Sequence, residues 1–235
     1  MHTRPYSLAI ETSAPQGSIT LGRDTCLLTT ANLTQPRRHN VELAPAIDEI
    51  FKRNGATAQD VGEVYVSIGP GSFTGLRIAV ATAKMLGYAL GAQLVAVPTL
   101  RVVVENAPTD LPPQSYVGVF LNTKRLDNHI TGYASVYHRC DNGWRSDLGP
   151  ALMSPAELCD HAPRPLAILA DLPAIEWPTN VNALDTNLTR PRSEAVWRVG
   201  HAMARQGLFT DPFKLTPLYA RRPAAEELWE QKESG

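Results

Sequence analysis

The stretch Ser67-Ile-Gly-Pro-Gly-Ser-Phe-Thr-Gly-Leu-Arg77 joins a short apolar run, residues 64–68, to a helical pattern that continues to about residue 90. Its glycines at 69, 71 and 75 match neither the dinucleotide-binding spacing nor the Walker A pattern. Backbone N–H groups of such a turn, with Ser72 and Thr74, could hold an anion at the start of the helix. The turn could equally serve only to reverse the chain, and the spacing leaves both interpretations open.

The helix after this loop carries small residues at every fourth position, namely Gly75, Ala79, Ala83, Gly87 and Gly91. Residues four apart lie on nearly the same face of a helix, so another backbone can approach this face closely. The helix could therefore lie tightly on its own sheet or meet a helix of another chain. The period alone favours the first of these.

Outward from the loop, residues 1–100 predict the order β-β-β-α-β-α-β, which is an α/β layer architecture. The strands are expected at 6–10, 17–21, 25–33, 64–68 and 94–97, and the helices at 40–54 and from the loop to about 90.

The composition of the sequence changes after residue 107. Ten of the 19 prolines lie between Pro108 and Pro191. Short apolar runs at 116–121, 130–137 and 166–170 and a helix at 191–206 follow. We predict an N-terminal lobe at 1–107, a smaller second lobe at 108–210, and a tail at 211–235 that packs back on the first lobe.

Composition excludes several classes of protein. Of 235 residues, 43% are hydrophobic and the net charge is −1, which excludes a disordered chain and a strongly basic nucleic-acid-binding protein. The three cysteines, at 26, 140 and 159, form no C-x-x-C pair and predict free thiols in a reducing cytosol. We expect a soluble cytoplasmic protein with no membrane partner, because no apolar stretch is long enough to span a bilayer.

Recognisable catalytic constellations are missing. No two histidines are four residues apart and no G-x-S-x-G elbow occurs, so neither a metal site nor any catalytic residue is predicted. Glu11 could touch a metal ion or a water, although such a residue is more often a hydrogen-bond acceptor at a strand end. His39 is interpreted as a cap of the first helix.

Three segments together resemble the TsaB (YeaZ) family: Leu8-Ala-Ile-Glu-Thr-Ser13, the glycine string at 69–77, and Val95-Ala-Val-Pro-Thr-Leu100. The patterns His39-x-x-x-Leu43-x-Pro45-x-Ile47 and Pro217-Leu-Tyr-Ala-Arg221 also resemble the family. The resemblance is dense over 6–104 and at the tail, and thin over 108–210.

The resemblance implies an actin-like fold (sugar kinase, Hsp70, actin and ribonuclease H-like proteins), in two lobes with a reduced second one. It also implies a non-catalytic scaffold that binds the transferase TsaD during threonylcarbamoylation of the tRNA adenosine next to the anticodon. The ATPase TsaE belongs to the same complex, tRNA is contacted only indirectly, and a homodimer is expected when the chain is alone. The alternative is a small-molecule phosphotransferase of the actin-like superfamily, with Glu11 and the glycine loop holding phosphate and metal.

Two sets of residues are predicted, one from this resemblance and one from the glycine loop and the end of the first strand. The partner is expected to bind the first two helices. This favours the interpretation of the small-residue face as an interface between chains. No cofactor is expected, except ATP or Mg²⁺ at a subunit interface. The predicted partner residues are His39, Leu43, Ile47, Ile50, Arg77, Ala79, Ala83 and Gly87. The predicted nucleotide or anion residues are Glu11, Thr12, Ser13, Gly69, Gly71, Ser72, Thr74 and Gly75.

Departures from the catalytic relatives and from the family are also visible. Thr99 and Val103 stand where the catalytic relatives carry an H-x-x-x-H metal pair, and neither replaces an imidazole. Asn122-Thr-Lys-Arg125 stands where the family usually has Asp-Ala-Arg-Arg, and Ala220 stands where Leu is usual. Glu11 stands where Asp is commoner.

Overall fold

The computed structural model describes residues 4–34, 38–112, 114–122, 130–140, 143–172 and 177–218. They form two five-stranded sheets, each covered by helices. The elements of the first half are β1 (Tyr6–Glu11), β2 (Ser18–Arg23), β3 (Cys26–Asn32), α1 (His39–Arg53), β4 (Val61–Gly69), α2 (Phe73–Leu90), β5 (Gln93–Pro98) and α3 (Thr99–Val104). Those of the second half are β6 (Tyr116–Asn122), β7 (Gly132–Cys140), β8 (Gly143–Met153), α4 (Pro155–His161), β9 (Leu166–Ala170), β10 (Val181–Ala183) and α5 (Ser193–Arg205).

The first sheet has the order β3-β2-β1-β4-β5, with β1, β2 and β3 antiparallel and β1, β4 and β5 parallel. Side chains alternate between its two faces with the period of a strand. Leu8 and Ile10 pack against α1 and α2, whereas Ala9 packs against α5 on the other face. The expected order of these strands and helices is confirmed.

The helix α5 belongs to the first lobe. Its residues Ala195, Val196 and Val199 are buried with the first sheet, and the indole Nε1 of Trp197 donates a hydrogen bond to Ser7 Oγ at 2.8 Å. The predicted second lobe at 108–210 is therefore too long, because it included this helix. An amphipathic pattern shows that a helix packs on something but not on which sheet.

The second sheet has the order β10-β9-β6-β7-β8. The helices that pack on it are shorter than those on the first sheet. One face packs against α4 and buries Phe120, Leu158 and Ile168. The other face packs against α3 and buries Val117 and Leu169.

The small-residue face of α2 is turned toward the chain's own sheet. Gly75, Ala79, Ala83 and Gly87 are all buried there, and a Cβ at Gly87 would lie 3.2 Å from the side chain of Leu94. Gly91 instead ends the helix in the left-handed conformation, with φ of 66°. The interpretation of this face as an interface between chains is wrong.

Part of the tail is described, up to Leu218. Leu215 is buried in the core of the first lobe, and the N–H of Leu218 donates to the carbonyl of Ile68 at 2.7 Å. Residues 211–218 therefore lie on the first lobe. Among the described helices, none combines the length and apolar character that crossing a membrane requires.

Candidate functional site

The candidate site lies where β1 ends and the glycine loop begins. Glu11, the last residue of β1, is fully buried, and its Oε1 accepts a hydrogen bond from the N–H of Ser13 at 2.5 Å. Among the residues that the structure describes, nothing forms a hydrogen bond with its Oε2 or with the buried hydroxyl of Ser13. Burial raises the pKa of the Glu11 carboxyl above its ordinary value, and the N–H of Ser13 together with the nearby hydroxyls of Ser13 and Ser67 opposes this in part.

The glycine loop is held against the end of β1 by backbone contacts. The N–H of Ser72 donates to the carbonyl of Ser13 at 2.6 Å, and the hydroxyl of Thr12 donates to the carbonyl of Gly75 at 2.8 Å. A Cβ at Gly71 would lie 2.6 Å from both the Cβ and the carbonyl oxygen of Ser13. Glycine is required there because two backbones touch.

A second clamp holds the beginning of the loop. The hydroxyl of Thr99, at the start of α3, lies 2.7 Å from Ser67 Oγ and accepts the N–H of Gly69 at 3.1 Å. Sequence reasoning considered Thr99 only as a failed metal ligand. Its position directly after a parallel strand neighbouring β4 is the signal that could have placed it beside the loop.

Most of the predicted anion-site residues are therefore brought together, but much of their hydrogen-bonding capacity is used within the chain. The N–H groups of Ser72 and Gly75 donate to Ser13 and to the Ser72 hydroxyl respectively, while Thr74 is exposed to solvent. Glu11 is closed off from solvent and would present a carboxyl, not a cation, to a phosphate. The residues do not fit a nucleotide phosphate in the isolated chain, and a nucleotide at a subunit interface stays a prediction.

No metal site accompanies the loop in the part of the chain that the structure describes. Within it, no three His, Cys, Asp or Glu side chains come together in a group that could hold an ion. His39 is not the cap of α1, because the N-cap residue is Arg38 and makes no side-chain cap. The imidazole Nε2 of His39 instead donates to the carbonyl of Ala14 at 3.1 Å, so it supports the turn between β1 and β2.

Seven of the eight predicted partner residues cannot touch another protein in the folded chain, because their side chains are buried in the core of the first lobe. This is a correction of the prediction, and its cause is that the helical period identifies a buried face without saying what buries it. The seven are His39, Leu43, Ile47, Ile50, Ala79, Ala83 and Gly87. Arg77 is the exception, since it is exposed and its guanidinium lies 3.8 Å from the ring centre of Phe73.

The opposite face of α2 is exposed and partly apolar. Phe73, Arg77, Ala81, Met85 and Tyr88 form what we call the outer stripe, at spacings of three and four residues. Met85 is 57% exposed and Tyr88 is 51% exposed. Large apolar side chains grouped on a surface in this way indicate an interaction site.

Comparison with known proteins gives a family. The model of the family "TsaD: tRNA N6-adenosine threonylcarbamoyltransferase" matches residues 32–207, well over half of the chain. The chain belongs to this family. The TsaB relatives and the YeaZ structure described below confirm the predicted resemblance.

Curated TsaB proteins are similar over the first part of the chain. The "tRNA threonylcarbamoyladenosine biosynthesis protein TsaB" of Escherichia coli is 34% identical over 102 residues, and that of Bacillus subtilis is 32% identical over 99. Each alignment covers 43% of the relative, so the chain matches less than half of the length of these proteins. An uncharacterized Mycobacterium tuberculosis protein is 28% identical over 94% of both chains.

The fold agrees with solved structures. YeaZ from Pseudomonas aeruginosa superimposes with a TM-score of 0.75 at 20% identity, over 91% of this chain and all of that one. The predicted two-lobed α/β fold is confirmed, and it is the fold of YeaZ. Two motifs of the resemblance stay outside the described residues in part, since positions 123–125 and 219–221 are not described.

Proposed function

We propose that this TsaB-family chain is a non-catalytic subunit in the formation of threonylcarbamoyladenosine on tRNA, and that it binds a TsaD-type transferase through the exposed sides of α1 and α2. The names of the curated TsaB relatives support the pathway. The observation that supports this contact is the outer stripe of α2. It is an exposed apolar row on a helix whose opposite face is buried in the core.

The helix α1, which packs on the same core as α2, also has an exposed apolar side chain. Val41 is 59% exposed, and Pro45, four residues later, has no N–H with which to bond the Val41 carbonyl. Val41 therefore combines an exposed apolar side chain with a backbone carbonyl that cannot receive the usual helical hydrogen bond from four residues on. Such a pair suits a partner that buries apolar area and supplies one donor.

A non-catalytic role is supported by the end of β5. Thr99 and Val103 are buried, and the Thr99 hydroxyl is occupied by Ser67 and Gly69. The chain thus uses this position to hold the glycine loop. The phosphotransferase alternative is less well supported, because Glu11 is enclosed and the loop donors at Ser72 and Gly75 are engaged.

The remaining partners follow from the same proposal. The ATPase TsaE joins the complex, and the outer stripe forms a homodimer contact when the transferase is absent. Contact with tRNA is indirect, since phosphate affinity depends on cationic contacts and the chain has 22 basic against 23 acidic residues. The complex works in the cytoplasm, where exposed free thiols such as Cys26 and Cys140 persist.

The test compares two charge insertions at equally exposed apolar positions. Met85→Glu changes the outer stripe, whereas Leu152→Glu changes β8 of the second lobe, where Leu152 is 54% exposed. Binding to the TsaD protein of the same organism is measured by calorimetry, after circular dichroism has shown that both variants are folded. An unpaired charge buried at a contact costs about 2 kcal/mol or more, which is about a 30-fold loss of affinity.

We expect that loss for Met85→Glu and wild-type affinity for Leu152→Glu. Wild-type affinity for a folded Met85→Glu variant would exclude the outer stripe as the contact. Absence of any binding by the wild-type chain would contradict the proposed function itself.

A further inference from the structure

We propose that the transferase contact includes a second row of residues beside the outer stripe, and that Phe213 is the anchor of this row. The second row belongs to residues 210–218, which we call the strap. The inference rests on the proposed function for the identity of the partner. It adds a separate element of the chain, with its own chemistry, to the surface that the partner must match.

The strap contacts both ends of α2. At one end, the ring of Phe213 packs edge-to-face on Tyr88, in the last turn of the helix, with ring centres 5.0 Å apart. At the other end, the N–H of Leu218 donates to the carbonyl of Ile68 at 2.7 Å, directly before the glycine loop that leads into the helix. The strap therefore passes from the C-terminal end of α2 to its N-terminal end.

The backbone of the strap is held in place along its length. The N–H of Thr210 donates to the carbonyl of Leu94 at 2.7 Å. The carboxylate Oδ1 of Asp211 accepts the N–H of Phe213 at 2.8 Å, and its carbonyl accepts the N–H of Leu215 at 3.0 Å. Leu215 itself is 1% exposed and belongs to the core of the first lobe. Phe213 is thus presented by an ordered backbone, so binding costs little conformational freedom.

The exposed side chains of the strap continue the outer stripe. Phe213 is 77% exposed and Leu218 is 38% exposed. The ring of Phe213 touches Tyr88, the last member of the outer stripe, so the two apolar surfaces join at this pair. Aromatic side chains are enriched at the centre of protein contacts, where a few anchors supply most of the binding energy. A firmly held and exposed Phe213 has the properties of such an anchor.

The charged residues of this surface indicate the chemistry of the partner. The helix α2 contains Arg77 and Lys84 and no acidic residue. The strap contains Lys214 and one acidic residue, Asp211, whose carboxylate accepts the N–H of Phe213. A complementary partner therefore offers an apolar pocket for the Phe213 ring, bordered by acidic residues. A second copy of the chain would bring two cationic surfaces together, so this surface favours the transferase.

The first test compares serine substitutions at two exposed apolar residues. Phe213→Ser removes the proposed anchor. Leu208→Ser is the control, because Leu208 is 50% exposed and its N–H donates to the carbonyl of Met203 on α5. The helix α5 packs on the opposite face of the first sheet from α2. Affinity for the TsaD protein of the same organism is measured by calorimetry, after circular dichroism has shown that both variants are folded.

We expect Phe213→Ser to bind about 30-fold more weakly, which is the loss typical of a hot-spot residue, and Leu208→Ser to bind as wild type does. Wild-type affinity for a folded Phe213→Ser variant, when Met85→Glu binds poorly, would overturn this inference and leave the proposed function standing. Wild-type affinity for both Phe213→Ser and Met85→Glu would exclude the whole surface. Absence of binding by the wild-type chain would contradict both proposals.

The acidic border of the partner is tested by Lys214→Glu. Exposed charges at the edge of a contact act mainly on the association rate and are screened by salt. We expect several-fold slower association with the TsaD protein at low salt, and a smaller difference as salt is added. Arg145→Glu makes the same change of charge at an exposed residue of β8 and should associate as wild type does. An unchanged rate for Lys214→Glu at low salt would overturn the acidic border.

The position of the contact is tested independently by photo-cross-linking. The photoreactive residue p-benzoylphenylalanine replaces either Phe213 or Leu208 in the full-length chain, which is then mixed with the TsaD protein and irradiated. We expect a cross-link to the TsaD protein from position 213 and none from position 208. Cross-links from position 213 that form only with a second copy of the chain, or equal cross-linking from both positions, would overturn the inference.

Discussion

Gly75, in the first turn of α2, lies directly against the backbone of Thr12, the residue that follows β1. A Cβ added to Gly75 would lie 1.8 Å from the carbonyl oxygen of Thr12, and the Thr12 hydroxyl in turn donates to the carbonyl of Gly75 at 2.8 Å. The start of α2 is thus seated directly on the end of β1. No side chain fits between them.

Gly75→Ala should therefore destabilise the chain, because the methyl group meets backbone and cannot be accommodated by a rotamer change. We expect a loss of at least about 2 kcal/mol in the free energy of unfolding, measured by urea titration. The matched control is Gly149→Ala, since a Cβ there would meet nothing within 4 Å. Equal stability of the two variants would show that the loop moves freely from the strand.

Ala83→Leu distinguishes packing on the sheet from contact with a partner. Ala83 is completely buried, so three more carbon atoms overpack the core and should cost about 1–3 kcal/mol. Ala81→Leu adds the same atoms on the exposed side of the same helix and should leave unfolding within about 0.5 kcal/mol of wild type. A normal urea midpoint for Ala83→Leu would mean that α2 packs differently.

The buried carboxyl of Glu11 predicts a pH dependence of stability. Its pKa is raised above the unfolded value of 4.5, so the folded chain keeps this proton to a higher pH than the unfolded chain does. The stabilisation is fully present below pH 4.5 and is lost as pH rises through the folded pKa. Glu11→Gln cannot titrate, so its stability relative to wild type should rise across that window in urea unfolding at a series of pH values. A constant difference between the two proteins would contradict the burial of a titrating carboxyl.

Trp197 fastens α5 to the first sheet through its indole. Trp197→Phe removes the donor to Ser7 and leaves a buried hydroxyl without its partner, which should cost about 1–3 kcal/mol. Trp144, a half-buried residue whose ring lies under the guanidinium of Arg139, gives the matched control, because Trp144→Phe retains an aromatic face for Arg139. We expect a clearly smaller loss of unfolding free energy for the control.

The first lobe could be predicted because its sequence periods are strong. Strand alternation and the helical spacing of Leu43, Ile47 and Ile50 identified the elements within a few residues. The same spacing misled the assignment of a partner surface, since a period marks a buried face without naming its neighbour. The exposed side of α2, with Met85 and Tyr88, was readable from the same helix by taking the opposite face.

The second lobe was less predictable for physical reasons. The strand β8 contains Gly149 and Pro150 and is largely exposed, so it lacks both alternation and β-branched residues. The helix α4 is only seven residues long, although its capping box at Ser154 and Glu157 was visible in the sequence. The clamp formed by Thr99 depends on two parallel strands coming together, which no local pattern contains.

The position of the short helix α3 has a consequence for how the protein unfolds. Its Val102 is buried in the core beneath α5, while Leu100, Val103 and Val104 are buried in the core of the second sheet. Neither core can unfold without exposing side chains of this one helix, so the stability of each lobe depends on the other. Heating should accordingly produce a single cooperative endotherm, with calorimetric and van 't Hoff enthalpies equal, and the lobes should behave mechanically as one block that does not open and close about a hinge.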